Sequence, residues 1–237
     1  MKTGVLFIHG FTGGTYEVQP LITFVKSHTD WSVEVPTLPG HGVTLNLTNV
    51  SAESWMMEAE LAMRRLQKKV DRVIIVGFSM GGLIALYLSL RYPVSKLVLL
   101  SAAAKYISPR FLLEDVRMML RESITKNYSP NSFHHLYDYK LTHTPIRAMF
   151  EFLRIVKMVE PYYSQIKIPV CLVQGEKDEI VPFSSVEHLY KTLGSEKKIL
   201  IKSPKGKHHI CYSDDCHEWF PKVLEFMRND CEKQNLS

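Results

Sequence analysis

Gly77-Phe78-Ser79-Met80-Gly81-Gly82 joins the buried-looking run Arg72-Val73-Ile74-Ile75-Val76 to the helical pattern Leu83–Tyr92. A serine at such a sharp strand-to-helix turn is held at strained backbone angles with its Oγ presented outward. Gly77 and Gly81 remove the Cβ atoms that would collide as the chain doubles back. The new helix aims its first N–H groups at the place where an oxyanion would develop. A serine hydroxyl is a weak nucleophile at neutral pH and needs a base beside it, itself oriented by a carboxylate. Both follow in order. Gln174-Gly175-Glu176-Lys177-Asp178-Glu179-Ile180-Val181-Pro182 offers Asp178, with Glu176 and Glu179 as competing carboxylates. Pro204-Lys205-Gly206-Lys207-His208-His209 offers a base in one of its two histidines. Near the start, His9-Gly10-Phe11-Thr12-Gly13-Gly14 reads as an oxyanion loop, with the Phe11 N–H joining that of Met80. One such donor is typically worth ~10²–10³ in turnover. The same loop lacks the Lys and Ser/Thr of a phosphate-binding P-loop and the full GxGxxG of a dinucleotide site.

The elements that must hold these groups alternate. Gly4–Ile8, Ser32–Val35, Arg72–Gly77, Lys96–Ser101, Ile168–Gln174 and Lys198–Ile201 read as strands, several near-continuous in Val, Ile and Leu, as where both sheet faces are buried. Helical stripes lie between them: Val18, Leu21, Ile22 and Val25; Trp55, Ala59, Ala62, Met63 and Leu66; Trp219, Phe220, Val223, Leu224 and Met227. These stripes are read as core. The pattern predicts an α/β fold, a mainly parallel sheet flanked by helices, with Asp178 just beyond the sheet's carboxyl edge where ligands bind. From about Ala104 to Gln165 no strand appears, only helix-like stretches such as Pro109–Glu122 and Pro145–Val159. An insertion of that size is expected to form a helical cap over the sheet, with the remainder as core of one domain spanning the chain. Some of its many Tyr, Phe and Met side chains are expected to line an apolar pocket.

Composition narrows the class. The 237 residues are 46% hydrophobic and 22% charged, which is globular and excludes collagen, coiled coil and disorder. A net charge of +5 without a basic run argues against nucleic acid as partner. Val5-Leu6-Phe7-Ile8 is too short for a signal peptide, and no apolar run suits a membrane helix. Cys171, Cys211, Cys216 and Cys231 show neither a CxxC pair nor framework spacing, which fits a reducing compartment. The expectation is a cytoplasmic protein without stable membrane insertion, a monomer or weak homodimer. In that compartment the sequons at Asn46, Asn127 and Asn235 carry no meaning.

Taken together, HGFTGG at His9, PTLPGHG at Pro36–Gly42, GFSMGG at Gly77, GEKDEIVP at Gly175 and KHHI at Lys207 resemble the α/β-hydrolases. Within them the chain is similar to small bacterial carboxylesterases of the monoacylglycerol-lipase-like branch. The landmarks span nearly the whole chain in family order. The resemblance implies hydrolysis of carboxylic esters through an acyl-enzyme, with no metal or organic cofactor and a small-molecule ester as substrate. It makes Ser79 the nucleophile, Asp178 the triad acid, and Phe11 and Met80 the oxyanion donors. His208 aligns best with the family base. His209, five residues before Asp214, is the alternative. The chain departs from larger members by starting at the strand before the oxyanion loop, which is expected to thin one sheet edge and leave the site intact.

Other readings rank lower. His208, His209, Cys211, Cys216 and His217 form a Cys/His-rich patch, but their spacing matches no common zinc site. His41 is read as a structural hydrogen-bonding residue, His134-His135 as a solvated pair, and Cys171 as an inert buried thiol. The fold also hosts lyases, C–C bond hydrolases, enzymes acting on thioesters, amides or lactones, and slow-turnover signal receptors.

Overall fold

The computed structural model describes residues 1–104 and 144–229. The expected helix Pro109–Glu122, most of the aromatic and Met residues of the insertion, His134-His135, Cys231 and the sequons at Asn127 and Asn235 lie outside them.

Six described strands form one sheet: β1 (Thr3–Ile8), β2 (Ser32–Glu34), β3 (Arg72–Phe78), β4 (Lys96–Leu100), β5 (Val170–Gly175) and β6 (Lys198–Ser203). Their order is β2-β1-β3-β4-β5-β6, and every pairing is parallel. Six described α-helices accompany them: α1 (Gln19–His28), α2 (Ala52–Gln67), α3 (Met80–Arg91), α4 (Ile146–Val159), α5 (Phe183–Thr192) and α6 (Cys216–Arg228).

Strand alternation divides the core into two layers. Leu6, Ile8, Val73, Ile75, Leu97, Leu99, Val170 and Leu172 face one side, where α2, α3, α4 and α5 pack. Their neighbours Val5, Phe7, Ile74, Val76, Val98, Leu100, Cys171 and Val173 face the other, against α1 and α6. Successive side chains of a strand point to opposite faces, so a central strand covered on both must be apolar at every position. The edge strands β2 and β6 carry only partial burial. Each large side chain buried in these layers contributes about 1.5–3 kcal/mol relative to exposure. The stripes read as core from the sequence lie there, including Trp55, Trp219 and Met63.

Element ends shift from the expected positions for local reasons. Pro169 has no N–H for the ladder, so β5 begins at Val170, while the Pro169 carbonyl still accepts from Leu97 N at 3.0 Å. Pro93 drives Tyr92 to an extended conformation (φ −128°, ψ 151°), which stops α3 at Arg91. At the other end α3 starts at Met80, three residues before the apolar stripe suggested.

Of the insertion, α4 and the short 3₁₀ turn Glu160–Gln165 are described. The helix packs on α3 and α2, with Ala148, Phe152, Ile155, Val156 and Val159 buried. Glu151 reaches across to accept from the Ala52 N–H at 3.1 Å, one of the first N–H groups of α2, which have no partner inside their own helix. Arg154 then joins Glu151 to Glu53. Among the described residues no helix is long and apolar enough to cross a membrane.

Candidate active site

Ser79 stands between β3 and α3 with φ 51° and ψ −117°, in the left-handed half of backbone space that a side chain rarely occupies. Strain of this kind costs about 1–3 kcal/mol and persists only where the surroundings over-determine it. Here the Ser79 N–H donates to the Leu100 carbonyl at 2.9 Å, tying the turn to β4, and the residue is only 8% exposed. Close approach explains the glycines. A Cβ on Gly77 would lie 2.3 Å from the Gly81 carbonyl oxygen, and one on Gly81 would lie 2.2 Å from that of Ile8. The turn therefore rests on the end of β1, immediately before the His9–Gly14 loop. Met80 begins α3 and is fully buried, and its N–H belongs to the first turn, which has no acceptor within the helix.

The acid and base candidates meet. His208 Nδ1 lies 3.0 Å from Asp178 Oδ2 and 3.2 Å from Oδ1. An ionised carboxylate only accepts, so Nδ1 carries the proton and Nε2 is left as the basic nitrogen. The Asp178 side chain is sealed from solvent, and its remaining lone pairs are taken. Oδ1 accepts from the Ile180 and Val181 N–H groups, both at 2.9 Å, and Oδ2 from Gln174 Nε2 at 3.0 Å. Burial alone would push this carboxyl up. The neighbouring His208 charge, its hydrogen bond and the two backbone donors outweigh burial and hold Asp178 below the ordinary carboxylate range. Glu176 and Glu179 are exposed at the surface.

The two loops that carry these residues touch through their backbones. Glu176 N–H donates to Ser203 O, and Lys177 N–H to Gly206 O, each at 2.9 Å. The second loop is further pinned by Asp215, which accepts from Ser203 Oγ at 2.7 Å and Lys205 N at 3.2 Å. The Phe78 ring, one residue before Ser79, lies 5.0 Å from the His208 ring and 5.8 Å from that of His209. His209 points elsewhere: its Nε2 lies 3.4 Å from Glu17 Oε1. His217 pairs with Glu218 at the surface, so the Cys/His-rich patch divides among separate partners.

On the opposite flank, the imidazole of His9 is fully buried and bridges two loops. Its Nε2 accepts from the Leu38 N–H at 3.0 Å, so the Nδ1–H donates to Gly10 O at 2.9 Å. Phe11 stacks on Phe152 of α4 and meets Trp55 edge to face at 5.8 Å. His41 Nδ1 donates to the Pro39 carbonyl at 3.0 Å, and Trp55 Nε1 donates to the same oxygen at 3.0 Å. Cys171 is buried within β5, where burial pushes its thiol up.

This arrangement of parallel strands, a serine turn after β3 and an Asp–His pair after β5 and β6 defines an α/β-hydrolase. The chain belongs to the Hydrolase_4 family, described as serine aminopeptidase, S33, whose family model matches residues 1–215. It is 22% identical over 236 residues to a thermostable monoacylglycerol lipase of Bacillus sp. (strain H-257), covering 94% of this chain and 89% of the relative. It is also 22% identical to a carboxylesterase of Bacillus subtilis (strain 168), with 94% and 91% covered. Among solved structures, one from work on the metagenome-derived lipolytic enzymes LipS and LipT superimposes with a TM-score of 0.78 at 23% identity, covering 96% of this chain and 94% of that one. A monoacylglycerol lipase of Paleococcus ferrophilus gives a TM-score of 0.71 at 18% identity, with 94% and 93% covered.

Proposed function

We propose that this chain is a serine hydrolase that cleaves carboxylic esters of short to medium acyl chains. The observation that carries the reading is the buried Asp178–His208 pair, with its basic Nε2, assembled at the same sheet edge as a serine held at positive φ. Ser79 Oγ attacks the ester carbonyl while His208 Nε2 takes its proton. Asp178 keeps the imidazole in the correct tautomer and stabilises the imidazolium. The Phe11 and Met80 N–H groups bind the tetrahedral oxyanion. His208 then protonates the departing alcohol, leaving an acyl-Ser79. It next activates a water that releases the acid and restores the hydroxyl. The names of the two Bacillus relatives support the ester class.

The aromatic flank of Phe11, Trp55 and Phe152 favours an uncharged, apolar acyl group. The reading keeps one domain, and of the cap expected over about 104–165 only residue 104 and residues 144–165 are among those described. The reading includes a cytoplasmic enzyme working without a cofactor as a monomer or weak homodimer. The free thiols of Cys171, Cys211 and Cys216 accord with that compartment.

The test is hydrolysis of p-nitrophenyl esters from acetyl to palmitoyl, run beside a serine-reactive phosphonate with mass spectrometry of the adduct. Turnover that peaks at one chain length, with label on Ser79, supports the reading. Label without turnover at any length moves the weight to a non-ester substrate or a ligand sensor on the same fold. No label at Ser79 overturns the mechanism.

A further inference from the structure

Glu17 is a carboxylate only 1% exposed, set in the 3₁₀ turn that follows the His9–Gly14 loop. The function proposed above does not use it. Its Oε2 accepts from the Gly10 N–H at 2.8 Å. Its carboxylate also fills the space beside Gly13, where an added Cβ would come within 1.9 Å of Oε2. The Gly10 carbonyl is fixed from the other side by His9 Nδ1 at 2.9 Å and by Gly13 N at 3.3 Å. A peptide is planar and trans, so holding the Gly10 oxygen sets the opposite direction for the next N–H, that of Phe11. The donor assigned to the oxyanion is thus aimed by its neighbours.

The same turn is gripped from the loop that carries the base. His209, adjacent to His208, lies 3.4 Å from Glu17 Oε1 through Nε2. Tyr212 Oη donates to the Tyr16 carbonyl at 2.6 Å. Phe78 fills the angle between them, touching the Gly10 position on one side and both histidine rings on the other.

We propose that Glu17 is a positioning residue for the oxyanion loop, and that with His209 and Tyr212 it braces that loop against the segment bearing His208. Oxyanion donor and base are then set by one shared structure rather than by two independent loops. Glu17 touches no reacting atom; it holds the His9–Gly10 peptide and the space beside Gly13, on either side of the Gly10–Phe11 peptide that carries the donor. The inference rests on the Ser79 reading given above. Its signature is a loss concentrated in kcat, because the geometry it protects matters most when the oxyanion forms.

The experiment measures kcat, KM and melting temperature on the best p-nitrophenyl ester, together with the rate of phosphonate labelling at Ser79. The chains compared are wild type, Glu17→Ala, Glu17→Gln, His209→Ala, Tyr212→Phe and the Glu17→Ala/His209→Ala double variant. Glu17→Ala is expected to lose on the order of 10² in kcat and in labelling rate with KM nearly unchanged. Glu17→Gln keeps an acceptor for the Gly10 N–H and recovers most of that loss. The double variant falls little below Glu17→Ala alone, since both changes break one brace. A Glu17→Ala chain within about threefold of wild type in kcat, or a Glu17→Gln chain as impaired as it, overturns the inference. If Glu17→Ala does not fold, the partly exposed His209 and Tyr212 carry the test. Lowered kcat at unchanged KM in both supports the brace, and unchanged kcat in both overturns it. A wild type that neither turns over an ester nor takes label at Ser79 overturns the site reading and this inference with it. A competent wild type with indifferent Glu17 variants overturns this inference alone.

Discussion

Phe11 and Phe152 lie face to face, their ring centroids 5.5 Å apart and their planes 19° from parallel. One belongs to the loop after β1 and the other to α4, so the insertion leans directly on the proposed oxyanion loop. Phe152→Ala removes a buried ring and is expected to cost about 3–5 kcal/mol. It also frees Phe11, lowering kcat by about tenfold. Urea unfolding and steady-state kinetics check both. A stability loss with kcat intact would mean that Phe152 only fills space.

The backbone at Ser79 gives a prediction about stability. With φ at 51°, glycine is the residue that fits best. Ser79→Gly and Ser79→Ala should both abolish turnover and phosphonate labelling. The glycine variant should nevertheless melt higher than the alanine variant, because strain of about 1–3 kcal/mol is relieved there and kept in alanine. Calorimetry on the pair decides it, and equal melting temperatures would show that the turn stores no strain.

Gln174 is fully buried and donates through Nε2 to Asp178 Oδ2 at 3.0 Å and to the Val181 carbonyl at 3.1 Å. Gln174→Leu takes this donor from the Val181 carbonyl and leaves Asp178 Oδ2 with His208 alone, and is expected to destabilise the protein by about 1–3 kcal/mol. Loss of one of the bonds that orient the carboxylate should also lower kcat by about tenfold. Retained kcat in the leucine variant would leave the backbone donors of Ile180 and Val181 as sufficient anchors.

The lowered Asp178 carboxyl fixes the sign of a pH effect. Its folded value lies below the unfolded one, so its contribution to stability is complete above about pH 4. That contribution is lost as pH falls through the lowered folded value. The stability gap between wild type and Asp178→Asn should therefore be widest near neutrality and shrink on acidification. Denaturation midpoints taken from neutral pH down to about pH 3 measure it. At neutral pH the same variant should lose about 10³–10⁴ in kcat, because the imidazole loses the partner that sets its tautomer.

What could be read from the sequence was what is local. The Ser79 turn, the strand runs and the helical stripes each announce themselves within a dozen neighbouring residues, through glycine placement or apolar period. The groups that orient the site do not. Glu17 meets Gly10 and His209, Gln174 meets Asp178 and Val181, and Phe152 meets Phe11 only after the sheet has assembled. Nothing in a lone Glu or Gln marks such a pairing, although Glu17 on the buried side of its turn is the kind of misfit that signals one. Asp214 stands five residues beyond His209, yet the neighbouring Asp215 holds that loop, by bonding Ser203 and Lys205. Choosing between two adjacent histidines likewise needs the third dimension, where His208 turns to Asp178 and His209 to Glu17.

The parallel order of the sheet also has a bearing on how activity returns after unfolding. The groups proposed to work together follow four different strands, β1, β3, β5 and β6, and the last two sit beside each other at one side of the sheet. No contiguous fragment short of nearly the whole chain holds a functioning subset. Parallel pairing needs distant segments to close large loops before any contact rewards them. Helical signal can therefore recover early in refolding, while catalytic competence waits for β6 to dock on β5 and bring His208 to Asp178.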